Sequence, residues 1–192
     1  MKIILTFIQK SLLSIATCLL CAVSAFAANT VSVASGKSAV LKESSKALLE
    51  VDYSATTIEN LPLDEYLQKR GEDYVKNWPK DTDYAAKYFI DRFNKKNKGL
   101  KIVSNQSEAS YKIVIHVQEL DMGNSGSMFI PYASAKAGGI IMIGTVDIVD
   151  IKSNEVVCTL AVDQVKGGAH VSATVRMGLM FMELATKMCA IK

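Results

Sequence analysis

The chain has two histidines and four cysteines. A zinc site needs three or four ligands at recognisable spacing, and neither HExxH nor CxxC occurs. No metal and no cofactor is therefore expected. GxSxG, GxxxxGK followed by Ser or Thr, and GxGxxG are also missing, so nothing marks a nucleophile elbow or a phosphate loop. Three prolines exclude collagen and a proline-rich linker. A dominant charge is absent too: 22 basic residues nearly balance 19 acidic ones, which excludes a polybasic nucleic-acid binder.

What is present begins with an address. Lys2 and Lys10 precede an apolar run from Ser11 to Val23, which is too short to span a bilayer comfortably. Ala25-Phe26-Ala27 is a small-x-small cleavage site. Residues 1–27 are thus expected to be a signal peptide, and 28–192 one exported domain, in the periplasm or outside a Gram-negative cell. Leu20 before Cys21 is too large, and Thr17 before Cys18 too poor a fit, for a lipidated cysteine. Membrane association would need the leader to be kept or lipidated. Cleavage removes two lysines and no acid from a chain of net charge +3. What remains is long enough to bury a core without staples. Cys158 and Cys189 stay behind in an oxidising setting. They could pair, but both fall on apolar faces and are expected to be small buried side chains.

Patterning sets the fold class. Val31–Val33 and Ala47–Tyr53 have strand character, the second with Leu49, Val51 and Tyr53 alternating with Glu50 and Asp52. Residues 62–78 predict a helix that Pro79 ends, with Asp81 or Thr82 capping a second helix that Gly99 closes. Leu100–Ser104 is a short strand. In Tyr111–Gln118, Tyr111, Ile113, Ile115 and Val117 point inward, and Lys112, Val114, His116 and Gln118 outward. Residues 139–151 and 155–165 predict a hairpin in which Ile151 faces Glu155, Ile148 faces Cys158, Val146 faces Leu160 and Ile143 faces Asp163. A one-residue slip would mix its faces. Residues 171–190 predict a helix with a wide apolar arc and Arg176, Glu183 and Lys187 on its solvent edge. The expected class is α+β: a mainly antiparallel sheet of about five to six strands, with two to three helices layered on one face.

Candidate functional residues fall in two places. One is the outer face of the hairpin. There Ile141, Ile143, Val149, Val157 and Ala161 interleave with Thr145, Asp147, Thr159 and Asp163, which is more apolar than a solvated face requires. The N-terminal segment or a partner must cover it. The other is the long loop 121–137, where Met128, Phe129, Ile130, Pro131 and Tyr132 form an apolar run. His116 and His170 each read as a surface histidine without ligands. Asp147 and Asp163 are too offset in the predicted register to act as coupled carboxylates.

From residue 84 the layout resembles small envelope modules of Gram-negative bacteria. The residues that carry this are Phe93-Asn94, Gly99, Ala109–Ile115, Val146–Asp150 and Glu155–Val157, followed by the terminal helix. The similar families are the amino-terminal domain of the Tol–Pal propeller protein and the curli secretion channel, with related exported proteins. The resemblance implies assembly or binding in the envelope and carries over no catalytic residues. The expected function is a non-enzymatic binding or assembly module for an envelope protein or its own copies. Binding would run through Ile143, Thr145 and Asp147, or through Met128, Phe129, Ile130 and Tyr132. Two alternatives stand: a secreted hydrolase using His116 or His170 with Asp147 or Asp163, and a carrier of an apolar ligand between sheet and helices.

Overall fold

A computed structural model of the chain describes residues 29–123 and 138–192. The expected signal peptide and Met128, Phe129, Ile130 and Tyr132 lie outside the described residues. Eight strands form one mixed sheet: β1 (Thr30–Gly36), β2 (Lys46–Asp52), β3 (Thr57–Ile58), β4 (Leu61–Pro62), β5 (Lys101–Ile102), β6 (Tyr111–Asp121), β7 (Ile141–Asp150) and β8 (Glu155–Lys166). Their order is β1-β8-β7-β6-β2-β5, with β3 beside β6 and β4 on the far side of β3. Among the described residues three α-helices accompany them: α1 (Leu63–Arg70), α2 (Glu72–Lys96) and α3 (Ala173–Ala190).

The class is α+β, with a sheet larger than the five or six expected strands and not antiparallel throughout. β1, β8, β7 and β6 are antiparallel neighbours, but β2 runs parallel to both β6 and β5. Between β2 and β6 the chain passes through α1 and α2, and a strand that returns after a helical crossover lies parallel. Two-residue strands such as β3, β4 and β5 are too short to show a period of two.

The helical break falls at Gly71, not at Pro79. Gly71 has φ 105° and ψ 169°, a region open essentially to glycine alone. A Cβ there would meet nothing within 4 Å, so the requirement is conformational rather than spatial. Helix α2 then runs through Pro79, where the ring removes one donor, and the Thr82 hydroxyl donates to the Pro79 carbonyl at 2.8 Å. Asp81 does not cap a helix; it accepts the Thr174 hydroxyl of α3 at 2.8 Å. Gly99 is not left-handed either. It lets the chain pass the Lys42 backbone, which a Cβ would approach to 2.4 Å.

Helices α2 and α3 cover the inner face of the sheet. Phe89, Phe93, Met177, Phe181 and Leu184 pack over Ile113, Ile115, Val146, Ile148, Cys158 and Leu160, all of them buried. The helices approach closely where Gly178 meets Tyr84 and Tyr88. Arg176, expected at the solvent edge, is 4% exposed. Its guanidinium donates to the carbonyls of His170 at 2.9 Å and Met122 at 3.1 Å, so a charged side chain ties two connections together. Cys158 and Cys189 are free thiols. Burial raises the pKa of both.

The hairpin register holds in its middle and shifts at both ends. Ile148 faces Cys158, Val146 faces Leu160 and Gly144 faces Val162, as the alternation predicts. Near the turn Asp150, not Ile151, faces Glu155. The shift falls between Ile148 and Val149, and Asn154 is left-handed at φ 57°. A second shift between Met142 and Gly144 sets two residues of β8, Asp163 and Gln164, against the single Ile143, and on its other side Asp163 pairs with Thr30 of β1.

Candidate functional site

Strand alternation puts every second residue of β2, β6, β7 and β8 on the side away from the helices. That outer set includes Glu50 and Asp52, Lys112, Val114 and His116, Ile143, Thr145, Asp147 and Val149, and Thr159 and Ala161. In β7 the outer residues are half-buried while Met142, Gly144, Val146 and Ile148 between them are buried. No described helix packs on this side. The expected cover by the N-terminal segment is not provided by residues 29–36, which form the edge strand β1.

Three strands bring one cluster together at the middle of this face. His116 lies directly opposite Asp52 in the parallel β2–β6 ladder and directly opposite Thr145 in the antiparallel β6–β7 ladder. Asp147 lies two residues further along β7, across from Val114 and Thr159. The His116 Nδ1 is 3.0 Å from Asp52 Oδ2, and its Nε2 is 3.3 Å from Asp147 Oδ2. Asp147 Oδ1 accepts the Thr159 hydroxyl at 2.7 Å, and Asp52 Oδ1 accepts the Ser54 backbone N–H at 2.9 Å. Hydrogen bonds from the Ser54 side chain and backbone, then from His116, hold the Asp52 carboxyl down to about 2. One rung along, Lys112 and Glu50 form an ion pair at 3.0 Å.

The backbone beneath the cluster is tightly fitted. A β-bulge at Gln118 shifts the register between Val117 and Glu119. It brings the His116 carbonyl against β7, where only Gly144 fits: a Cβ there would lie 2.1 Å from that oxygen.

Sequence reasoning placed Ile143, Thr145 and Asp147 on this face, and there they are. It treated His116 as an isolated surface histidine, which is corrected by the two flanking carboxylates. It missed Asp52 as a partner, because the pairing runs across a helical crossover that local periodicity does not carry. Asp163 does not join His116. His170 is elsewhere: its Nδ1 accepts the Ser172 N–H at 3.0 Å, and among the described residues no ion pair links it to a carboxylate.

No cluster of three or more His, Cys, Asp or Glu among the described residues has a metal-holding arrangement. Among the surface grooves of the described residues, three do not include His116, and one of them reaches Ser54 beside Asp52. One of about 610 Å³ runs along the β2 and β5 edge between Leu48, Ile90 and Ile102. One of about 600 Å³ lies between Tyr53, Pro62 and Leu67, and one of about 200 Å³ between Tyr88, Arg92 and Met182.

No protein-family model and no curated protein matches the sequence. Among solved structures the chain is similar to PelC from Paraburkholderia phytofirmans, in a dodecamer, with 12% identity and a TM-score of 0.40. That alignment covers 85% of this chain and 98% of that one. A leucine-to-methionine variant of the same dodecamer gives 13% identity and a TM-score of 0.39 over the same shares.

Proposed function

We propose that the chain is a non-enzymatic binding or assembly module, exported to the cell envelope, that docks a protein partner or a further copy of itself on the outer sheet face. The observation that supports this most is the contrast within β7. Ile143, Thr145, Asp147 and Val149 are half-buried and mixed in character, and no described helix covers them. A face that presents apolar side chains around a polar centre suits a partner better than bulk water. The envelope assignment rests on the leader-like residues 1–27 and on the resemblance to envelope modules.

The test is photo-crosslinking in cells, with the probe replacing Thr145 and, in a second strain, Phe129. The reading predicts a discrete adduct from Thr145. Failure to form one at either position, from folded and exported protein, would sink it.

A hydrolase is the second reading, and one observation favours it: Asp52 orients the His116 imidazole as a carboxylate orients a general base. The hydroxyls near it are those of Thr145, Thr159 and Ser54, and none of the three grooves includes His116. Ester or amide turnover that His116→Ala abolishes would establish this reading instead. The carrier reading calls for an apolar cavity between sheet and helices; the groove lined by Leu48, Leu49, Ile90 and Ile102 lies between α2 and the sheet edge and is open.

A further inference from the structure

We propose that His116 is a proton-operated clasp on the outer face, binding Asp52 of β2 and Asp147 of β7 to one ring and resetting the charge that a docking partner meets. The consequence for docking rests on the binding reading above; the clasp itself is a property of the isolated chain.

Valence limits what the ring can hold. A neutral imidazole has one N–H donor and one acceptor lone pair. Here the ring stands between two carboxylates, at 3.0 Å from Asp52 and 3.3 Å from Asp147. Only one of them can receive the proton. The shorter contact assigns it to Nδ1, toward Asp52. The Nε2 lone pair then faces Asp147 Oδ2, acceptor against acceptor. Asp147 is held in place meanwhile by the Thr159 hydroxyl at 2.7 Å. A proton added at Nε2 converts that contact into a second charge-assisted hydrogen bond. The three side chains then carry one negative charge instead of two.

The mechanical effect follows from sheet order. β5 pairs with only Lys46 and Ala47 of β2, so most of β2 has a strand neighbour on one side alone. The doubly bonded ring ties this weakly flanked strand across β6 to β7, near the middle of the sheet. Other charges facing the ring do not replace the clasp. On β2, Glu50 is engaged by Lys112 of β6. Glu119 lies beyond the β6 bulge and is exposed, and Asp163 of β8 sits opposite Thr30. Thr145, Thr159 and Ser54, the remaining polar neighbours, do not ionise in this range.

Nuclear magnetic resonance on the full chain tests the clasp without any partner. Ring nitrogen shifts report which nitrogen carries the proton, with His170 as the internal reference. The expected result is an N–H on Nδ1 alone at alkaline pH and on both nitrogens at acidic pH. The Asp147 carboxyl carbon should move through the same midpoint as the ring. Asp147→Asn should weaken the Nε2–H hydrogen bond seen at acidic pH, and Asp163→Asn should leave it in place. An N–H on Nε2 in the neutral ring, or an Asp147 signal indifferent to the ring transition, would overturn the clasp. These wild-type readings do not depend on a variant that folds. Docking is read separately, as the Thr145 crosslink yield at acidic and neutral external pH. A several-fold change that His116→Gln removes is expected. A yield indifferent to pH overturns the coupling to docking, and no adduct at either pH, with the ring transition intact, overturns the binding reading and not the clasp.

Discussion

The two faces of one sheet differ more than any two segments of the chain. On the inner face, Val146, Ile148, Cys158 and Leu160 are buried under α2 and α3. On the outer face, one residue away along the same strands, Thr145, Asp147, Thr159 and Ala161 remain half-buried. The inner face is a packing problem, solved by shape and apolar volume. The outer face holds a hydrogen-bonded polar cluster among apolar neighbours. On the proposed reading, stability and binding fall on alternate residues of the same strands.

Substitutions should separate the faces, starting with the largest effects. Phe181→Ala should destabilise the chain by about 3–5 kcal/mol in chemical denaturation, because it empties a fully buried aromatic site between α2, α3 and the sheet. Val149→Ala on the outer face should stay within about 1 kcal/mol. Equal losses at the two positions would mean that something covers the outer face too.

Gly71→Ala tests the helical break between α1 and α2. It forces a Cβ into a conformation reserved for glycine and should lower the denaturation midpoint by the equivalent of about 1–3 kcal/mol. Thr159→Val should remove about 1 kcal/mol, from the hydrogen bond to Asp147, and leave the inner face unchanged by amide exchange.

A further effect is in acid. Asp52 titrates at about 2 in the folded chain, against about 4 when unfolded. A depressed carboxyl contributes stability that is present above its unfolded value and lost as pH falls through its folded one. Wild type should therefore lose this contribution between about pH 4 and pH 2. Asp52→Asn should be less stable than wild type at neutral pH, and the difference should close across that window in denaturation curves.

What was legible in the sequence follows the same division. Long alternating runs announced β6, β7 and β8, and the register of Ile148 on Cys158 followed from the hydrophobic pattern. The wide apolar arc announced α3. Non-local pairing was not legible. Asp52 and His116 are 64 residues apart, and their contact depends on a parallel crossover that no local spacing encodes. Arg176 reads as a surface arginine because composition does not show that the carbonyls of His170 and Met122 await a donor. Pro79 is a strong helix breaker in general, yet the chain broke at Gly71, where the backbone needed a conformation that proline cannot adopt. The register shift beside Ile143 interrupts the one-to-one pairing with Asp163 that simple alternation predicts.

Photo-crosslinking in cells most directly tests the claim that the outer face is the working surface. Probes at Thr145 and at Lys87, an exposed position on α2, should be compared side by side. The account predicts a discrete adduct from Thr145 and none from Lys87. No adduct from Thr145, or the same adduct from both, would contradict it.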